Sequence, residues 1–184
     1  LLRAWMKDQY EEIKQKNIQV FKDHAVGLII TNCPACYNIL KFQYKLEEDY
    51  WIKVEHITQT LKRYENKLKN REIKNSITYH DPCHLGRLSW VYEEPRQILN
   101  KIGYKVNEFK NNRENSLCCW GWGGLVNNNP ELSEKICNQV LSELNNWDVM
   151  TSPCPMCYFQ FKKHAKEKIE VKEFSELILQ NNRD

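Results

Sequence analysis

Short apolar runs alternate with longer stretches of helical periodicity along this chain. Val26-Gly27-Leu28-Ile29-Ile30-Thr31 has the pattern of a buried parallel strand. Residues 3–16 before it carry a charged, helix-favouring run. After it, 33–45 predicts a helix starting at a Cys-x-x-Cys, 53–55 a short strand, and 58–69 another helix. Ser76-Ile77-Thr78-Tyr79 predicts a strand entering the loop His80-Asp81-Pro82-Cys83-His84. A helix over 94–101 stops at Gly103, which suits a C-terminal cap, and 104–106 predicts the next strand. Pro130 opens a further helix, as a first-turn proline does. Residues 148–151 predict a strand that leads into a second Cys-x-x-Cys and its helix. A short strand and a helix over 174–180 close the chain. Strands alternating with helices predict an α/β architecture with mostly parallel sheets.

Part of this pattern occurs twice. Ile30-Thr31-Asn32-Cys33-Pro34-Ala35-Cys36-Tyr37 matches Met150-Thr151-Ser152-Pro153-Cys154-Pro155-Met156-Cys157-Tyr158, with one extra residue in the second copy. Downstream, Val54-Glu55-His56-Ile57-Thr58 resembles Val171-Lys172-Glu173-Phe174-Ser175. The second copy is preceded by Cys83 and Cys118-Cys119, and the first has no such lead-in. The expectation is a chain that begins inside the first repeat: residues 1–70 its C-terminal part, residues 75–184 a complete second repeat. The charged stretch 62–74 reads as a solvated linker or helix face.

Composition narrows the function. Of 184 residues, 41% are hydrophobic and 28% charged, which excludes a disordered chain. The net charge is only +3 and no basic stripe is present, so nucleic acid is not the expected partner. No apolar run is long enough to span a membrane, and an intracellular setting is expected, with any membrane association through partner subunits. Eight cysteines change the picture most. Disulfides and metal ligation are both open to such a chain. Two Cys-x-x-Cys pairs and the adjacent Cys118-Cys119 favour metal, because neighbouring cysteines seldom bond each other yet can face one polynuclear cluster.

Cys83, the pair Cys118-Cys119, and the pair Cys154/Cys157 are separated by two gaps of 34 residues. Each group follows a predicted strand. Loops at strand C-termini of a parallel sheet share one edge, so the three groups can converge. Cys154 stands at a helix start, where free N–H groups and the helix dipole favour thiolate. Gly121, Gly123 and Gly124 let the backbone approach a bulky group, and Trp120 and Trp122 can shield it. A four-cysteine zinc site with one spare thiol is the competing reading, but zinc takes four ligands from short knuckles.

His80-Asp81-Pro82-Cys83-His84-Leu85-Gly86-Arg87, Cys118-Cys119 with its glycines, and Ser152-Pro153-Cys154-Pro155-Met156-Cys157 together resemble the cysteine-rich CCG domain family. That family includes heterodisulfide reductase subunits and iron–sulfur subunits of glycolate and lactate oxidation systems. Trp120 stands where the family usually has glycine. The resemblance implies a duplicated CCG-type repeat, each copy a small mostly parallel sheet flanked by helices, the first copy incomplete. It implies a noncubane [4Fe–4S] cluster on Cys83, Cys118, Cys119, Cys154 and Cys157. It also implies that Cys33 and Cys36 are the last two ligands of a second cluster completed by upstream cysteines. By the same analogy His80, Asp81 and His84 relay protons to leaving thiolates.

Other residues have plainer readings. Cys137 lies on an amphipathic helix and reads as core. His24, His56 and His164 have ordinary packed or surface roles, and Arg87 offsets cluster charge or pairs with an acid. The functional expectation is a heterodisulfide reductase-like subunit that reduces a disulfide or thiol substrate. Alternatives are an electron-transfer subunit between an iron–sulfur or flavin donor and its acceptor, and a zinc-stabilised interaction module.

Overall fold

The computed structural model describes residues 6–73, 75–145, 148–165, 167 and 169–183. Residues 3–5 of the expected first helix and Lys74 of the charge run lie outside them. The architecture is α/β, as expected, with all described strand pairs parallel.

The larger sheet contains β3 (Asn75–Tyr79), β4 (Tyr104–Glu108), β5 (Val149–Ser152) and β6 (Glu170–Glu173), in the order β4-β3-β5-β6. Its two faces are covered by different helices. Ile77, Tyr79 and Val149 face α5 (Glu93–Lys101) and α9 (Phe174–Arg183), through Ile98, Leu99, Ile102 and Leu177. Met150 and Val171 face α7 (Pro130–Leu141) and α8 (Pro155–His164), through Cys137, Val140, Leu141 and Phe161. The chain leaves β3 toward β4 on one side and returns to β5 on the other. That reversal opens a crevice at the strand C-termini, where parallel sheets bind their ligands.

The smaller sheet pairs β1 (Leu28–Thr31) with β2 (Lys53–His56). One face packs on α1 (Lys7–Asp23) and α2 (Pro34–Asn38) through Ile18, Tyr37, Ile29 and Val54. Leu85 and Val91, from the loop after Cys83, join this same core. Asn38 Nδ2 donates to the Leu88 carbonyl at 2.9 Å. The two halves are thus sewn together through the loop that carries Cys83.

Several boundaries differ from the sequence reading. The helix expected over 33–45 runs as α2 continued by one π-helical turn over Ile39–Gln43, and a separate α3 (Leu46–Tyr50) follows it. Lys45 takes a left-handed φ of 53°, which lets Tyr44 and Leu46 both turn into the core. The helix expected over 58–69 ends as α4 (Ile57–Arg63), followed by a 3-10 turn at Glu65–Lys67. The repeat also needs a correction. Pairing sets Ile29 opposite Val54 and Met150 opposite Val171, Thr31 opposite His56 and Ser152 opposite Glu173. Thr31 therefore matches Ser152, not Thr151, and the copies run from strand to Cys-x-x-Cys without an extra residue.

Candidate metal centre

Cys83 follows β3, Cys118 and Cys119 follow β4, and Cys154 follows β5, so the three groups leave adjacent strands at one edge. Their sulfurs meet there. Cys118 Sγ lies 3.7 Å from Cys83 Sγ, and Cys119 Sγ lies 3.2 Å from Cys157 Sγ. Cys118 also interacts with Cys119, and Cys154 with Cys157. The five thiols form a row, Cys83-Cys118-Cys119-Cys157-Cys154. Among the described residues, no three His, Cys, Asp or Glu side chains are arranged to hold a single ion.

Within the row, two thiols are poised as thiolates. Cys118 is lowered by its contacts with the Cys119 and Cys83 sulfurs, with the Trp120 N–H adding at 3.4 Å. Cys154 is lowered by the Cys157 thiol and by the N–H groups of Cys157 and Met156 at the start of α8. Their neighbours Cys83, Cys119 and Cys157 are raised by the same sulfur contacts. A mostly buried set of five sulfurs with acidic members suits a polynuclear iron–sulfur core, which needs several thiolates on a broad front.

The pair loop is shaped to reach this position. Trp120 adopts φ 54°, the left-handed conformation that glycine takes most cheaply, which accounts for glycine being usual directly after the pair. Gly121 then packs against α8, and a Cβ there would stand 3.0 Å from the Met156 carbonyl. Gly123 and Gly124 carry positive φ, the conformation that glycine adopts most cheaply.

Asp81 is the anchor of the other two segments. Both its carboxylate oxygens accept from Arg96, at 2.8 and 2.7 Å, and Oδ2 also accepts from the Arg113 N–H at 2.8 Å. Its carbonyl accepts from Ser116 Oγ at 3.0 Å. Arg96 continues to Glu108 at 2.7 Å and lies over the Tyr79 ring at 4.6 Å. Arg87 donates to the Ser116 carbonyl. These bonds tie the Cys83 loop to the segment that leads into Cys118. Sequence reasoning misses Arg96; the available signal is a charged residue on the apolar face of α5, three positions before Leu99.

His80 is buried between Phe109 and Phe161, with ring centroids 5.9 and 4.7 Å away. Burial holds its pKa down at about 4. His84 Nδ1 lies 3.3 Å from Cys83 Sγ. Cys137 is buried in the core against the Gln160 carbonyl, as expected from the sequence. In the first copy, Cys33 caps α2 by accepting from the Cys36 N–H at 3.4 Å. Cys36 is exposed, and burial of its sulfur with the Cys33 contact pushes its thiol up to about 11, with a smaller contribution from Cys154.

A parallel α/β sheet with a thiol row at its topological switch point is the class of protein these observations define. The CCG cysteine-rich domain matches residues 1–41 and 77–162, and the chain belongs to that family. One subunit of the dihydromethanophenazine:CoB–CoM heterodisulfide reductase of Methanosarcina acetivorans is 30% identical over 95% of this chain and 46% of its own length. The probable iron–sulfur-binding oxidoreductase FadF of Bacillus subtilis is 31% identical over 94% of this chain and 26% of its own. EtfAB:quinone oxidoreductase of Syntrophomonas wolfei is 30% identical over 92% of this chain and 26% of its own. The chain thus spans less than half the length of these relatives. Two of these relatives are named as oxidoreductases and one as a heterodisulfide reductase subunit, and FadF is named as iron–sulfur-binding. Among the described residues no helix is long and apolar enough to cross a membrane.

Proposed function

We propose that this chain is the cluster-bearing part of an iron–sulfur oxidoreductase subunit resembling heterodisulfide reductase, acting on a disulfide or thiol substrate. The carrying observation is the convergence of Cys83, Cys118, Cys119, Cys157 and Cys154 in one row at the shared strand edge. These five would hold a noncubane [4Fe–4S] cluster, and Cys33 with Cys36 would serve a second, neighbouring one. When bound, the cluster would pass on two electrons from an iron–sulfur or flavin donor, which with two protons convert a disulfide into two thiols. The protein's own part is to hold the sulfurs, exclude water and keep a proton near them. His84, beside Cys83, is placed for the last task. Asp81 and His80 are better read as braces than as relays: the carboxylate is engaged by Arg96 and Arg113, and the imidazole is enclosed by two phenylalanines. Residues 75–184 form the complete repeat in this reading, and 1–70 the end of another.

Electron transfer without a substrate is the second reading. It draws on the electrostatic interaction of Cys36 with Cys154, through which the two sulfur groups would sense each other. An iron–sulfur or flavin protein would then be the partner, in the cytoplasm or at a membrane through other subunits. Anaerobically purified protein should be brown and contain iron and sulfide in equal amounts, with a paramagnetic signal on one-electron oxidation or reduction. One zinc per chain and no iron would make it an interaction module instead.

A further inference from the structure

His56 offers no signal in the sequence, yet the fold places it where the two Cys-x-x-Cys turns meet. The residue is fully buried and caps α4. Its Nδ1 lies 2.9 Å from Thr58 Oγ1 and accepts from the Thr58 N–H at 3.4 Å, which leaves the ring proton on Nε2. Nε2 is buried and makes no hydrogen bond of ordinary geometry, and besides Thr58 the ring interacts with the backbone of Asn32 and of Pro153. Asn32 directly precedes Cys33, and Pro153 directly precedes Cys154. The ring also meets Tyr37, the residue after Cys36, edge to face at 6.2 Å.

A buried donor left unused is costly, and phenylalanine would fill the same space without one. The paired strands show that the nitrogen is not required by the cap. His56 matches Glu173, whose carboxylate caps α9 by accepting from the Glu176 N–H at 3.0 Å. The second copy therefore caps its helix with an acceptor alone. The first copy uses a side chain with an acceptor at one end and a donor at the other.

We infer that His56 is a positioning residue that joins the two cysteine turns, its Nε2–H directed at the carbonyls before Cys33 and Cys154. It fixes how far Cys36 stands from Cys154, and hence how strongly the two sulfur sites communicate. Only this last consequence rests on the proposed cluster.

The full chain and two variants test it. His56→Asn keeps an acceptor for α4 and removes the far donor; His56→Gln returns a donor to about the reach of Nε2. In metal-free protein a short bis-maleimide links Cys36 to Cys154, and peptide mapping measures the yield. His56→Asn should lower that yield about twofold, the low end of what one polar contact commands, and His56→Gln should recover most of it. An unchanged yield overturns the inference. So does an equal fall at the Cys119–Cys157 pair, which marks general loosening. In unaltered protein, long-range proton–nitrogen correlation should find the ring proton on Nε2, and a proton on Nδ1 overturns the inference whatever the variants do. After anaerobic reconstitution, the paramagnetic g-values should shift in His56→Asn and return in His56→Gln; g-values that stay fixed overturn the communication between the sites. If the unaltered chain takes up no iron and sulfide, the cluster reading fails, and the thiol and nitrogen measurements still decide His56.

Discussion

The two Cys-x-x-Cys turns have nearly the same sequence, follow matching strands and begin matching helices, yet they make different thiols. Cys154 is lowered and Cys157 is buried beside Cys119. Cys36, the counterpart of Cys157, is raised as Cys157 is, to about 11, but it is exposed and Cys119 has no equivalent beside it among the described residues. The helix start is common to both, so it cannot be what separates them. The difference is the company of other sulfurs and the wall of α7 and α8 that encloses them. A Cys-x-x-Cys joins a larger thiol set when β3 and β4 deliver further cysteines to it, and those strands have no counterpart beside β1 among the described residues.

Exchanging single cysteines should break this symmetry most sharply. Cys118→Ser or Cys154→Ser should abolish iron and sulfide uptake through the second copy, whereas Cys137→Ser should leave the visible spectrum unchanged; bleaching by Cys137→Ser would show the ligand set to be misassigned. Next in size is the brace that only the second copy has. Arg96→Met leaves Asp81 charged, buried and without its bidentate partner, and should cost about 3–5 kcal/mol in urea unfolding of the metal-free chain. Pairing it with Asp81→Asn should recover part of that loss, because the stranded charge is gone. The smallest effect concerns the sheets. Val149 packs into the core under α5 and α9, while the matching Leu28 is 41% exposed. Val149→Lys should destabilise by about 2–3 kcal/mol, and Leu28→Lys by less than about 0.5 kcal/mol. Equal losses would mean that a covering layer protects Leu28 as well.

Much of this is legible in the sequence because it depends on local pattern. β3 and β5 are short β-branched runs that end at a loop cysteine, and α7 announces itself with Asn129 and Pro130; Asn129 Oδ1 indeed accepts from the Leu132 N–H. What stays hidden depends on partners far along the chain. The π-helical turn over Ile39–Gln43 and the separate α3 follow from Tyr44 and Leu46 seeking one core, which no periodicity within 33–45 reveals. Residue identity aligns the repeat one position off because Thr31 and Thr151 are the same residue, whereas pairing to β2 and β6 matches Thr31 with Ser152. Asp81 stands out for its place beside Cys83, but its role comes from Arg96, fifteen residues later on another element. His56 looks ordinary in sequence because both turns that it faces lie outside its own segment.

The three ligand loops root in adjoining strands, β4, β3 and β5, and this has a mechanical consequence. Hydrogen-bonded strands keep a lateral spacing of about 4.8 Å that resists stretching. Bending or twisting of the whole sheet carries the loop roots along together and leaves their separations nearly intact. Compliance is thereby confined to the few residues between each strand end and its sulfur, so gain or loss of an electron would be absorbed by small loop adjustments above a stiff floor.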